Sequence, residues 1–205
     1  MLILQQLVNG LMLGSVYVMV AVAFTLTIGM LNFLNFTIPA LFMVSAMVMW
    51  AATAAGFHWL VAAGFGMIVA IIASLVIERF TYRYMKAKYG DATEHALPLV
   101  SSLGFLIIFE HVVIMIWGTD PMTFASPFAR AKFEISGLIF GIPQLISLAL
   151  SVVLVFGLSL ILKKTQLGRA LRSIAERPDT ATLMGVDVGK IVPVVFVMTG
   201  FLCAL

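Results

Sequence analysis

Apolar residues run along this chain in long blocks, and the early blocks are divided by turn residues rather than by charge. The first Asp, Glu, Lys or Arg is Glu78, so 77 residues pass without one. A helix needs about 20 apolar residues to cross the hydrocarbon core of a bilayer, so this opening has room for three spans. The pattern places the first at Leu4–Ile28, closed by Gly29, and the second at Thr37–Ala55, closed by Gly56-Phe57-His58. The third runs Trp59–Ile77 and meets Glu78-Arg79. A fourth, Leu97–Trp117, contains Glu110 and His111. The fifth begins near Pro143, a residue suited to a first helical turn, and ends before Lys163-Lys164. A sixth starts near Ile191 and is still apolar at Leu205, 15 residues on. That is short for a span, and a C-terminally truncated bundle is the expectation.

Composition sharpens the class. Hydrophobic residues make up 62% of the chain and charged residues 10%, against roughly 45–50% and about 25% in an ordinary soluble domain. A soluble fold needs a charged surface that this sequence does not supply. Disordered, collagenous, disulfide-rich secreted and nucleic-acid-binding classes are excluded on the same grounds. The single cysteine, Cys203, has no partner for an internal bridge. The predicted fold is an all-α, polytopic integral membrane helical bundle of about six spans, with residues 1–205 forming one domain.

Charge adds orientation. Of 12 Lys and Arg, four (Arg79, Arg83, Lys86, Lys88) lie in one segment and six (Lys163, Lys164, Arg169, Arg172, Arg177, Lys190) in another. The positive-inside rule puts both segments in the cytoplasm, and the two spans between them give matching parity. The loop 118–142 then faces outward. Within it Phe133-Glu134-Ile135, Ser136-Gly137 and Leu138-Ile139-Phe140 read as a small hairpin. Counting back three spans places the N-terminus outside.

Candidate functional residues are the polar ones held where lipid should be. Asn32-Phe33-Leu34-Asn35-Phe36-Thr37-Ile38-Pro39 has no flanking charge and is expected to stay at membrane depth. Amides and a hydroxyl there are costly unless they face protein or a water-filled cavity. A broken helix that exposes free backbone groups is one reading, since transporters hold substrates at such breaks; an interfacial turn is the other. Gly10 and Gly14 form a GxxxG pair suited to close helix packing. Glu110 sits deep in the fourth span, either lining a pathway or hydrogen-bonded inside the bundle. No pattern for covalent catalysis, metal binding or a phosphate loop is present, so any ATP is bound by another chain.

The segment 163–190 carries more pattern than a loop needs. Leu167, Ala170, Leu171, Ile174 and Ala175 share one helical face, with Arg169, Arg172 and Glu176 on others. Pro178 ends that helix. Asp179 is placed to cap a short second helix, Thr180 to Met184, and Gly185 to stop it. Resting on anionic lipid and docking into another protein both suit this pattern.

Several separated stretches together resemble the permease subunits of branched-chain amino acid ABC transporters, of the LivH type. Asn9-Gly10-Leu11-Met12-Leu13-Gly14-Ser15-Val16-Tyr17 is similar to the family's NGLxxGSxYAL, and Asn35-Phe36 to the start of its NFAHG element. Glu78-Arg79 through Tyr82-Arg83 resembles ERxxYRP, and Ser102-Leu103-Gly104 the opening of the family's fourth span. Thr165-Gln166-Leu167-Gly168-Arg169-Ala170, with Ala181 and Gly185, resembles TxxGRAxRA followed by AxxxGI. Thr37-Ile38-Pro39 departs from the family's Ala-His-Gly, and Ser173 from its second RA pair.

The resemblance implies a single transmembrane permease domain in the bacterial inner membrane, with 163–190 as its ATPase-coupling segment. It implies a non-enzymatic import subunit for branched-chain amino acids, with no cofactor of its own. Partners would be ABC ATPase subunits that bind ATP, a second permease subunit and a periplasmic substrate-binding protein. Arg169, Arg172, Asp179, Ala181 and Gly185 are then the coupling residues. Asn32, Asn35, Thr37 and Glu110 are the pathway candidates. An ABC permease for urea or short amides, a passive channel, and a secondary transporter driven by protons through Glu110 are the competing expectations.

Overall fold

The computed structural model describes residues 2–31, 34–84, 96–120, 122–123, 132–135 and 138–205. Its elements are α1 (Leu2–Leu31), α2 (Ile38–Ala54) and α3 (Trp59–Ile77), which continues as a π-helical stretch Glu78–Arg83. They are followed by α4 (Ala96–Trp117), β1 (Lys132–Ile135), β2 (Leu138–Gly141) and α5 (Ile142–Lys164). The chain closes with α6 (Gln166–Glu176), α7 (Pro178–Leu183) and α8 (Val188–Ala204). This is the all-α multi-pass bundle that the apolar blocks predict, with one small hairpin. Among the described residues, α1, α3 with its extension, α4 and α5 are long and apolar enough to cross a membrane; α2 and α8 are apolar and 17 residues each.

Boundaries shift in physically understandable ways. α1 has 30 residues, or about 45 Å of rise, longer than the roughly 30 Å hydrocarbon core. α8 begins three residues before the predicted Ile191, because the Asp187 carbonyl accepts from Lys190 N (3.1 Å) and Ile191 N (3.2 Å) and admits a charged first turn. The hairpin is antiparallel, with Phe133 opposite Phe140 and Ile135 opposite Leu138; the predicted Ser136-Gly137 turn lies outside the described residues.

α8 is the centre of the bundle and packs against α1, α2 and α3. Val192, Phe196, Leu202 and Cys203 from α8 form one buried cluster with Ala23, Ile38, Leu41, Ala73 and Ile77. In lipid, helices associate through close packing and interhelical hydrogen bonds rather than through a hydrophobic drive. Both devices appear here. A Cβ on Gly200 would stand 3.0 Å from the Ala70 carbonyl oxygen and 3.1 Å from Ile71 Cα, so α3 and α8 meet almost backbone to backbone. Ser74 Oγ, on α3, donates to the Phe196 carbonyl at 2.6 Å. Thr27 on α1 and Thr199 on α8 lie 3.2 Å apart, each also near a carbonyl of its own helix. A hydroxyl has one hydrogen, so one of the two bonds its own helix and the other reaches across.

A second cluster joins Leu26 of α1, Leu171 of α6 and Val195 of α8, with Met30, Leu158, Leu162 and Ile191 around it. The π-helical stretch also contacts α8. The two basic segments therefore meet the bundle at one and the same end, where α8 starts. α4 and α5 stand at the periphery, α4 against α2 and α5 against α1 and α6, with most of their surface exposed.

Candidate functional site

Two places carry chemistry that a plain bundle would not need. The first is the break between α1 and α2. Pro39, in the first turn of α2, suits a helix start because its missing N–H has no role there. Asn35 and Thr37 just before it are fully buried. Asn35 Oδ1 accepts from both Thr37 N (3.1 Å) and Thr37 Oγ1 (2.5 Å). Phe36 N donates to Ser102 Oγ (3.2 Å), which itself donates to the Leu99 carbonyl (2.7 Å) and so ties the break to α4. Among the described residues, Asn35 Nδ2 is a buried donor with no acceptor. Such a group costs about 1–3 kcal/mol, so it stands out in a bundle whose other buried hydroxyls are paired.

The break does not lie at the middle of the bundle. Ser102 is the seventh residue of α4, about 9 Å of rise from Ala96, and Thr81 of the π-helical stretch sits 3.3 Å from the neighbouring Ser101. Both relations put Asn35 near the basic end. Asn32, the other candidate amide, lies outside the described residues. Glu110 is exposed on α4, and His111 Nδ1 lies 2.9 Å from the Ile107 carbonyl. Glu110 thus shares neither core cluster nor the break with Asn35 and Thr37.

The second place is the α6–α7 segment. Thr165 caps α6, its Oγ1 accepting from Gly168 N at 3.1 Å. Gly168 sits so tightly in the turn from α5 that a Cβ there would collide with the Leu162 backbone. The apolar face falls as predicted: Leu171 and Ile174 are buried, and Arg169, Arg172 and Glu176 are exposed. That face packs into the protein's own bundle rather than onto lipid.

α7 corrects one expectation. Its cap is Arg177, not Asp179, because Pro178 supplies the preorganised φ of a first helical turn and starts the helix two residues early. Asp179 is the second residue of α7, and its side chain lies outside the described residues. The stop is as read from the sequence. Gly185 has φ +87°, Gly185 N donates to the Thr182 carbonyl (3.0 Å) and Val186 N to the Ala181 carbonyl (3.0 Å), the paired bonds of a Schellman turn. Ala181 is buried, whereas Leu183 and Met184 are 89% and 81% exposed. The segment presents an apolar tip on a short, firmly closed helix. Beyond it, the Lys190 ammonium, 3.0 Å from Asp187, holds the Asp187 carboxyl below the usual carboxylate range.

The glycine pair on α1 faces outward from the described chain. A Cβ on Gly10 or Gly14 would meet nothing within 4 Å, so no helix of the described chain approaches them. They line an open apolar groove of about 410 Å³ with Ser15, Leu148, Val152 and Phe156. The Ser15–Ser147 contact at 3.0 Å is a polar link between α1 and α5 beside it.

Leu183 and Met184 were missed because exposed apolar residues in an apolar chain have no contrast. Thr165 carried a readable signal, a Thr immediately before a periodic apolar run. Ser102 carried none, since nothing local ties it to Phe36.

Apolar spanning helices, buried polar groups at a helix break and a capped amphipathic segment at one end define a multi-pass helical membrane protein. Comparison with known proteins agrees: the chain belongs to the family described as branched-chain amino acid transport system / permease component, which matches residues 6–205. It is 27% identical over 215 aligned residues to the high-affinity branched-chain amino acid transport system permease protein BraD of Pseudomonas aeruginosa, covering 98% of this chain and 68% of that one. It is 25% identical, with the same coverage, to the permease protein LivH of Escherichia coli K12. A probable LivH of Methanocaldococcus jannaschii is 30% identical over 128 residues, covering 61% of this chain and 38% of that one. No solved structure matches.

Proposed function

We propose that this chain is the permease subunit of an ATP-binding cassette importer that passes branched-chain amino acids across the bacterial inner membrane. ATP is bound and hydrolysed by separate ATPase subunits. A second permease subunit completes the pathway, and a periplasmic binding protein delivers the substrate. The basic end of the bundle faces the cytoplasm, in line with the positive-inside rule.

The observation that carries this reading is the α6–α7 segment. α6 is locked into the bundle through Leu171 and Ile174, and α7 projects Leu183 and Met184 into the surroundings. A rigid lever with an exposed apolar tip suits docking into a groove on another protein. Closure of the ATPases on ATP would displace α7, and α6 would transmit that displacement to α1, α5 and α8, its packing neighbours. The free energy of ATP binding then shifts the equilibrium between outward-open and inward-open arrangements.

The substrate is tested by competition. Purified complete transporter in proteoliposomes is expected to take up labelled leucine, with isoleucine and valine competing and urea or acetamide in excess having no effect. Uptake of labelled urea in place of leucine would move the assignment to the short-amide permeases.

A further inference from the structure

The Asn35 carboxamide is oriented by its own hydrogen bonds. Its Oδ1 accepts from both Thr37 N and Thr37 Oγ1, and exchanging oxygen for nitrogen would set an NH2 group against the Thr37 N–H. The Nδ2 hydrogens therefore face away from Thr37, in a fully buried position without an acceptor among the described residues. α2 begins three residues further along the chain, at Ile38. The first amides of a helix have no intrahelical carbonyl to bind, and they mark the positive end of its dipole. In α2 these first-turn amides belong to Ile38 and Ala40, Pro39 having none, and both residues are buried. Thr37 spends its hydroxyl hydrogen on Asn35. Asn35 Nδ2 and these amides are neutral donors within one short buried stretch, and the first acidic residue of the chain is Glu78, buried on the π-helical stretch.

We propose that the α1–α2 break is a carboxylate station, at which Asn35 Nδ2 and the first amides of α2 hold the carboxylate of the transported molecule near the cytoplasmic end of its pathway. This rests on the reading of the chain as an amino-acid importer. Neutral donors suit a group that must also leave: they stabilise an anion without the tight pairing an arginine would impose. Full burial of Asn35 fits an occluded step.

Two variants test it in the complete transporter, reconstituted in proteoliposomes with leucine-loaded binding protein outside and ATP inside. Asn35→Asp and Asn35→Ser both leave an oxygen to accept from Thr37, and both delete the NH2 group. Both are expected to lower the maximal uptake rate by about tenfold or more. The concentration of loaded binding protein giving half-maximal uptake is expected to stay the same, because delivery happens elsewhere. Wild-type rates in both variants would show that Asn35 only shapes a turn. Failure of both to elute from size exclusion as assembled complex would make Asn35 a packing residue, and either result overturns the station. Absence of leucine uptake by the wild-type transporter would instead defeat the amino-acid reading itself, and the station with it.

Discussion

Gly185→Val, introduced into the assembled transporter, is expected to abolish uptake while the protein still inserts and reaches near-normal membrane levels. Gly185 holds φ +87°, and a Cβ there meets nothing within 4 Å, so the penalty comes from the backbone alone. A β-branched residue in the left-handed region is strained by roughly 1–2 kcal/mol. That is too little to unfold a bundle held by the α8 contacts with α1, α2 and α3. It is enough to open the Schellman turn made by Gly185 N and Val186 N, and with it the placement of Leu183 and Met184. The variant should fail to co-purify with the ATPase subunits. Gly185→Asn, whose side chain tolerates this conformation, should retain most of the uptake. If the valine variant keeps its ATPases and transports at the native rate, α7 is not the docking element.

Gly168→Ala is the second large effect expected, and it runs against helix propensity. Alanine in place of glycine inside a helix is ordinarily favourable by about 1 kcal/mol. At Gly168 the new Cβ would overlap backbone atoms of Leu162, and backbone cannot swing aside as a flexible side chain would. The elbow between α5 and α6 must open, drawing Leu171 and Ile174 from their seat against Leu26 and Val195. Overpacking of this kind costs about 1–3 kcal/mol. The expected result is a lower thermal midpoint for the detergent-solubilised complex, together with loss of ATP-coupled uptake. Gly64→Ala on α3 is the control: nothing lies within 4 Å of its Cβ, and it should be neutral or mildly stabilising.

These two glycines show what was legible in the sequence. Gly185 could be read as a stop because a short helix after Pro178 had to end and glycine meets φ +87° without a Cβ penalty. Gly168 was visible only as part of a resemblance, since its reason is a contact with Leu162 across a turn whose angle no local pattern states. The apolar blocks mark six apolar helices among the described residues, and in four of them bilayer thickness sets the length. They did not show that α8 stands at the centre, which depends on Gly200, Ser74 and Thr199 finding partners far along the chain. The cap of α7 went to Arg177 because Pro178 outweighs the capping preference of Asp179. The Gly10–Gly14 spacing was read as a packing motif, yet spacing alone does not say which helix, if any, lies opposite. Asn35 was picked out by its polarity in an apolar setting. That its Oδ1 is engaged twice while its Nδ2 is unanswered emerged only from the geometry.

The central claim is that ATP bound by partner subunits drives transport through this chain. The most direct measurement is uptake of labelled leucine by proteoliposomes holding the complete transporter, with the loaded binding protein outside and the interior composition varied. Uptake is predicted to require internal ATP and external binding protein, and to be unchanged by a protonophore at constant ATP. Uptake that proceeds without ATP or binding protein, or that collapses with the protonophore while ATP is held constant, would contradict it.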